Sequence, residues 1–247
     1  RPDDPSDPDG PTAAPALLPY QLLFALGSGS ISAVIALLGE LRDTVGMSDL
    51  GAGVVVMSGF VAALVALVTL APLADRGHGP RMIQIGLLLG TAGLILMAVA
   101  PSTAVFVLGR AITGFGEGMI LPGVRRVAAV LDPTKVAENL GRLMVGEVVG
   151  MVIGPVIAGA LAAVGTVRTP LLFFAVAHLA FLPLALRLPP DLGEKSTERR
   201  TSFDLLRRRT FVGSLVIVGG YLMLLGAIEA VIPLQLSDEG VGTFGIG

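Results

Sequence analysis

The sequence predicts an all-α protein, a polytopic bundle of membrane-spanning helices. Of its 247 residues, 53% are hydrophobic and only 15% are charged, whereas about 25% are charged in ordinary soluble domains. The mean hydropathy is +0.82, and the charges are gathered between long uncharged stretches. Because a helix needs about 20 mostly apolar residues to cross the hydrocarbon core, this pattern indicates an integral membrane protein.

Seven stretches are predicted to span the bilayer. The fourth contains Arg110 and Glu117, which cost about 2.5–3.5 kcal/mol each at the membrane centre. Its nine Leu, Ile, Val and Phe residues return only about 3–5 kcal/mol, so we expect this helix inside the bundle, with both charges facing a polar cavity. The predicted spans are Leu17–Gly39, Leu50–Ala74, Met82–Ala100, Ala104–Val124, Val148–Gly165, Pro170–Leu186 and Thr210–Leu234.

The distribution of cations predicts the orientation, since lysine and arginine accumulate on the cytoplasmic side. With a cytoplasmic N-terminus, fourteen of the seventeen cations lie inside, Arg42 and Arg168 lie outside, and Arg110 stays within a span. The N-terminus is therefore expected in the cytoplasm. The predicted location is the plasma (inner) membrane of a bacterium, with the lipid bilayer as a direct partner.

Composition also excludes several kinds of site. The chain has no cysteine and two histidines, so disulfides and thiol chemistry are excluded, and we expect no metal and no cofactor. The net charge of −2 is too small to indicate a nucleic-acid partner. Motifs of membrane-embedded proteases and hydrolases are missing, so no enzyme activity is predicted.

Small residues and buried acids mark the candidate site. Glycine-rich segments, Gly27–Ser30 and Gly114–Gly118, fall near the middle of spans 1 and 4. Their equivalent placement favours a three-plus-three inverted repeat as in transporters, although both are equally explained as helix-packing faces.

Intramembrane ionisable residues are functional candidates by default. Arg110 and Glu117 lie seven residues apart on one helix face, with a charge pair to another span as the alternative. Glu147 and Glu229 also lie near membrane depth, and Glu147 is equally placed to pair with Arg142. His178 is a lone histidine on an apolar helix, suited either to hydrogen-bonded packing or to proton transfer.

Three segments carry motifs. The loop between spans 2 and 3 contains Asp75, Arg76, Gly79 and Arg81. Span 4 contains Arg110-Ala-Ile-Thr-Gly-Phe-Gly. Span 5 contains a stripe of small residues around a proline, made of Gly150, Gly154, Pro155, Ala158 and Gly159.

In this order and on these spans, the motifs resemble those of the major facilitator superfamily, specifically its drug:proton antiporter branch. The resemblance implies that the loop with Asp75 and Arg76 is a cytoplasmic latch, in which Asp75 caps a helix end and Arg76 and Arg81 supply charge partners. It implies that Arg110 takes part in proton coupling. It also implies that the span-5 stripe lies at the interface between two six-helix halves, where a chain lacking the second half leaves it exposed.

Composition and the resemblance together divide the chain into four segments. Residues 1–16 are expected to form a disordered acidic tail, 17–188 an N-terminal six-helix half, 189–209 a basic cytoplasmic linker, and 210–247 the first helix of a truncated second half. The missing C-terminal half is then an expected partner. A half-size protein that dimerises is the competing interpretation.

The predicted function is proton-coupled export of small amphipathic or drug-like molecules by alternating access, so a small-molecule substrate and protons are the expected ligands. A seven-helix receptor is the alternative from a different class, but such receptors place the N-terminus outside. A retinal protein needs a lysine in its last helix, and Thr210–Leu234 has none. An inactive fragment of a transporter with another substrate or coupling type is the remaining alternative.

Overall fold

A computed structural model describes residues 17–188, Pro190 and scattered positions between Arg207 and Gln235. The predicted tail, most of the linker and most of the seventh helix, including Glu229, lie outside the described residues. Within the described range 17–188, all regular structure is helical. The helices are α1 (Leu18–Ala36), α2 (Leu38–Val45), α3 (Asp49–Leu73), α4 (Gly79–Ala98), α5 (Thr103–Leu131), α6 (Val136–Val164) and α7 (Thr169–Leu186).

The prediction of an all-α bundle with membrane-length helices is confirmed. Among the described residues, five stretches are long and apolar enough to cross a membrane, and one of them, Asp49–Ala98, comprises both α3 and α4. The helix starts follow local chemistry. Proline lies in the first turn of α1, α4 and α7, where the N–H that it lacks has no helical acceptor. The Ser48 hydroxyl accepts a hydrogen bond from Gly51 N at 3.1 Å and begins α3.

Two helices extend beyond the predicted spans. Helix α5 continues past Val124 to Leu131, and α6 begins at Val136, ahead of Val148. Charged residues such as Arg125 and Arg142 end the apolar stretch that was used to place the spans, but they do not end a helix. Backbone hydrogen bonds between residues four apart continue past the apolar region, whatever the polarity of the side chains.

Side chains that join helix ends establish an alternating course of the chain. Gln84 of α4 donates to Ala185 O of α7 at 3.2 Å, and Asn139 of α6 donates to Ala128 O of α5 at 3.2 Å. At the opposite end, Arg168 donates to Ala100 O at 3.0 Å. The starts of α4 and α6 therefore lie with the ends of α5 and α7. We call this the basic end, because Arg76, Arg81, Arg125, Arg126 and Arg142 belong to it.

The helix contacts match the predicted internal repeat in part. The most extensive contacts join α4 to α5, α1 to α6, α3 to α5, and α4 to α7. In such a repeat, α1, α3 and α4 correspond to α5, α6 and α7 in that order. The α1–α6 contact then corresponds to the α5–α3 contact, and the α4–α7 contact corresponds to itself. A three-plus-three repeat requires this correspondence. The same correspondence, however, maps the extensive α4–α5 contact onto the α1–α7 contact, which is far smaller.

Candidate functional site

Arg110 is the largest charged side chain in the interior. It is 2% exposed and lies on α5 among buried Phe106 and Thr113. Helix α3 accommodates it with a glycine, because a Cβ at Gly59 would stand 2.6 Å from Arg110 Nε. A guanidinium retained at this depth against its desolvation cost is a functional candidate, as the sequence predicted.

Glu117 lies two turns further along α5 and contacts different helices. Its side chain is 13% exposed, and Oε1 lies 3.5 Å from Nε2 of His178 on α7. A Cβ at Gly27 of α1 would overlap Oε2. The sequence left the partner of Glu117 open, and the structure supplies it in His178. Arg110 lies against α3, whereas Glu117 lies against α1 and α7. The two charged side chains therefore lie in different helix contacts, and not together in one cavity as expected.

His178 is completely buried, and its position also depends on a glycine. A Cβ at Gly90 of α4 would stand 2.7 Å from the His178 Cδ2 atom. Its Nδ1 lies 2.8 Å from Phe174 O, one turn earlier in α7. Sequence reasoning assigned this histidine to packing or to proton transfer, and the signal it missed was the glycine facing the ring from another helix.

Glu147 of α6 is half-buried beside α1. Its backbone carbonyl accepts a hydrogen bond from Ser28 Oγ at 2.8 Å, and its Oε2 is buried without a hydrogen-bond partner among the described residues. The alternative pairing with Arg142 is wrong, because Arg142 pairs with Glu138 at 2.6 Å, one turn away on the same exposed helix face. Glu147 therefore remains a candidate proton carrier.

The span-5 stripe is buried within this half. A Cβ at Gly150 would overlap Ala25 O, and one at Gly154 would overlap Gly29 O. Ala158 is 0% exposed, and Gly159 is buried, while Pro155 lies inside the continuous helix. The expectation that this stripe is exposed without a second half is wrong, because α1 covers it through backbone contact that only small residues permit.

The connection between α3 and α4 contains the residues of the expected latch. Segment Ala74–His78 bends where Gly77 has a φ of 84°. Asp75 and Arg81 are exposed and Arg76 is half-buried. In the described part of the chain, no side chain caps the start of α4, so Asp75 does not cap the helix that follows it.

Gly77, rather than the motif residue Gly79, requires glycine for backbone reasons. Gly79 begins α4 with a φ of −48°, and a Cβ there would meet Gly123 O at 3.4 Å, an ordinary contact. Gly77→Ala is expected to lower the free energy of unfolding by about 1–2 kcal/mol, the cost of a left-handed non-glycine residue. Gly79→Ala is the matched control. Thermal unfolding midpoints of both variants in detergent test this prediction. Equal midpoints would contradict the requirement for glycine at position 77.

One carboxylate outside the spans has a perturbed acidity. Hydrogen bonds from Thr134 to Asp132, at 2.6 Å from the hydroxyl and 2.9 Å from the backbone N–H, lower the pKa of Asp132 from its ordinary value. These bonds favour the ionised form of this carboxylate, which lies in the turn between α5 and α6.

Comparison with known proteins places these features in a family context. Residues 18–247 match the family described as the Major Facilitator Superfamily. The chain is 26% identical to the uncharacterized transporter YgaY of Escherichia coli O157:H7 over 93% of this chain and 62% of YgaY. It is 27% identical to the quinolone resistance protein NorA of Staphylococcus aureus over 88% of this chain and 56% of NorA. The chain thus spans less than two thirds of the length of these relatives.

The fold is also found among solved structures. A bacterial homolog of the human lysosomal transporter Spinster, in an inward-facing and unoccupied conformation, matches with a TM-score of 0.62 at 19% identity. The match covers 77% of this chain and 47% of that protein. At this identity the likeness shows the fold, and the bundle corresponds to about half of the larger structure.

Proposed function

The chain belongs to the Major Facilitator Superfamily, a family of secondary transporters, and we propose that the protein containing it exports small amphipathic molecules in exchange for protons. The observation that carries this proposal is the buried carboxylate of Glu117, in contact with His178 inside a bundle of membrane-length helices. A carboxylate with little exposure to water is suited to binding and releasing a proton. The similarity to NorA, a quinolone resistance protein, supports quinolone-like compounds as the substrate class.

The proposed mechanism is alternating access. Substrate enters a cavity between two halves, and protonation of an embedded carboxylate, Glu117 or Glu147, biases the outward-open against the inward-open state. Protonation achieves this only if the two states bind the proton with different affinity. Rocking of the halves then exchanges the accessible side, while the exposed Asp75 and Arg81 are available to a helix end of the second half.

The described helices form one half in this proposal. Apolar side chains on α6, including Val148, Val152 and Val156, are 57%, 63% and 46% exposed. They lie on faces that α1 does not cover and are available to lipid or to the second half. The basic end faces the cytoplasm in this proposal, which matches the cation distribution, and a bacterial inner membrane is the proposed location.

The proposal is tested with the complete natural protein in everted bacterial membrane vesicles, with a fluorescent quinolone as the probe. Export then registers as uptake into the vesicles that requires a proton gradient and stops when a protonophore is added. Glu117→Gln is expected to reduce proton-driven uptake at least about tenfold, the consequence of losing about 1.4 kcal/mol of coupling free energy. Glu147→Gln tests the second carboxylate in the same way.

Glu138→Gln is the matched control, since Glu138 is exposed and pairs with Arg142 at the surface. Exposed ion pairs contribute little to protein stability, so uptake by this variant is expected to equal that of the natural protein. Full proton-driven uptake by both Glu117→Gln and Glu147→Gln would contradict the assignment of the proton site. Uptake by the natural protein that does not depend on the proton gradient would contradict the proposed coupling.

A further inference from the structure

We propose that Glu117 and His178 form one proton-binding unit, in which a single proton is shared between Oε1 of the carboxylate and Nε2 of the imidazole. The role of this unit in transport rests on the proposed function, whereas the shared proton itself follows from geometry. The inference adds a histidine to the proton site and favours Glu117 over Glu147.

The first step is the tautomer of His178. Its Nδ1 lies 2.8 Å from the carbonyl oxygen of Phe174. A carbonyl oxygen only accepts hydrogen bonds, so Nδ1 carries a hydrogen and donates it. A neutral His178 therefore has a bare Nε2 whose lone pair is an acceptor.

The second step is what this lone pair faces. Nε2 lies 3.5 Å from Glu117 Oε1, and both atoms are buried without another hydrogen-bond partner among the described residues. If Glu117 is ionised and His178 neutral, two acceptors face each other and neither is satisfied, which is unfavourable in a buried site. One added proton resolves this, either as a neutral acid that donates to Nε2 or as an imidazolium that donates to the carboxylate. The pair consequently holds one proton as a unit, as coupled groups do.

The third step is the enclosure of the unit. His178 is fully buried and packs against Gly90 of α4. The Glu117 side chain is 13% exposed and lies beside Gly27 of α1. A proton therefore reaches the unit from the side of Glu117. At 3.5 Å the contact is slightly longer than a hydrogen bond, so we expect proton binding to draw α5 and α7 together by a few tenths of an ångström.

The remaining charges nearby do not replace His178 as the partner. On α1 and α4, the ionisable side chains are Tyr20 and Arg81, both toward the basic end, and α7 has only His178. On α5, Arg110 lies against Gly59 of α3. The nearest acid on α6, Glu147, belongs to the contact with α1 at Ser28.

Nitrogen NMR of the complete protein labelled with ¹⁵N-histidine tests the unit directly. This chain contains only His78 and His178, and His78 is exposed, so it serves as an internal reference. We expect Nδ1 of His178 to carry a hydrogen and Nε2 to share a proton with Glu117 Oε1. In Glu117→Gln this shared proton is lost, so the Nε2 signal of His178 is expected to move, whereas the signals of His78 stay unchanged.

Variants assign the signals and separate the inference from the proposed function. With any histidine outside this chain replaced, His78→Gln identifies the His178 signal even if His178→Gln does not fold. A bare Nδ1 in His178, or an Nε2 signal that Glu117→Gln leaves in place, would overturn the shared proton. If these spectra are as expected but the natural protein moves no quinolone with a proton gradient, the proposed function fails while the proton unit stands. If export is proton-driven and His178→Gln leaves its pH profile unchanged, the role of the unit in coupling is overturned.

Discussion

Gly150→Ala is expected to destabilise the bundle strongly, even though alanine favours a helix over glycine. A Cβ at this position would overlap Ala25 O and stand 2.8 Å from the Ala25 carbonyl carbon. These are backbone atoms of α1, so relief requires the two helices to separate rather than a side chain to rotate. Overpacking of this kind costs about 1–3 kcal/mol or more. The hydrogen bond from Ser28 to the Glu147 carbonyl, 2.8 Å in the same contact, is lost as well.

The matched control is Gly141→Ala in the same helix. A Cβ at Gly141 meets nothing within 4 Å, so only the helix preference of alanine remains, which adds about 0.5–1 kcal/mol of stability. The two substitutions therefore change stability in opposite directions. Thermal unfolding in detergent, followed by circular dichroism, measures both midpoints. A Gly150→Ala midpoint at or above that of the natural protein would show that α1 and α6 are not in backbone contact.

Arg110→Ala is expected to reduce proton-driven export about tenfold or more. The seven residues from Arg110 to Glu117 correspond to about 10 Å along the helix axis. At an effective dielectric constant of about 20, a guanidinium and an ionised carboxylate at that distance attract by about 1.7 kcal/mol. Removing the guanidinium changes the electrostatic potential at the Glu117 proton site by that amount. The uptake of a fluorescent quinolone into everted vesicles, measured across a range of pH, is the readout.

Arg125→Ala is the control for charge and helix position. Arg125 lies on α5 at a similar distance from Glu117 on the other side, but it is exposed, so solvent screens its charge. Export is expected to stay close to that of the natural protein, with an unchanged pH profile. Equal losses in the two variants would mean that Arg110 acts only through net charge, and unchanged export in Arg110→Ala would remove it from the coupling machinery.

Some features of the site were predictable because they depend on local sequence. The placement of Arg110 and Glu117 in the interior follows from their position inside an apolar stretch of span length, since lipid penalises a charge strongly. The close helix approach at Gly150 and Gly154 follows from their spacing of one helical turn. The partner of that approach did not follow, because a stripe of small residues fits any other helix with a matching groove.

Other features depended on residues far apart in the chain. The contact of Glu117 with His178 joins residues that lie 61 positions apart in the chain. It exists only because Gly27 and Gly90 leave room on two further helices. The helix ends at Leu131 and Val136 lie beyond the predicted spans, since apolarity reports where lipid ends and not where backbone hydrogen bonding ends.

The amino-acid sequence by itself determined that this protein is built of membrane-length helices, how many apolar stretches it has and which ionisable residues lie among them. These properties follow from one-dimensional hydropathy, because the bilayer acts on each helix separately. Only the tertiary structure decided which helix covers the stripe of small residues and which glycine leaves room for each buried ionisable side chain. It also decided that a glutamate and a histidine face each other. Such pairings arise from side-chain packing among helices that are distant in sequence, and hydropathy contains no information about them.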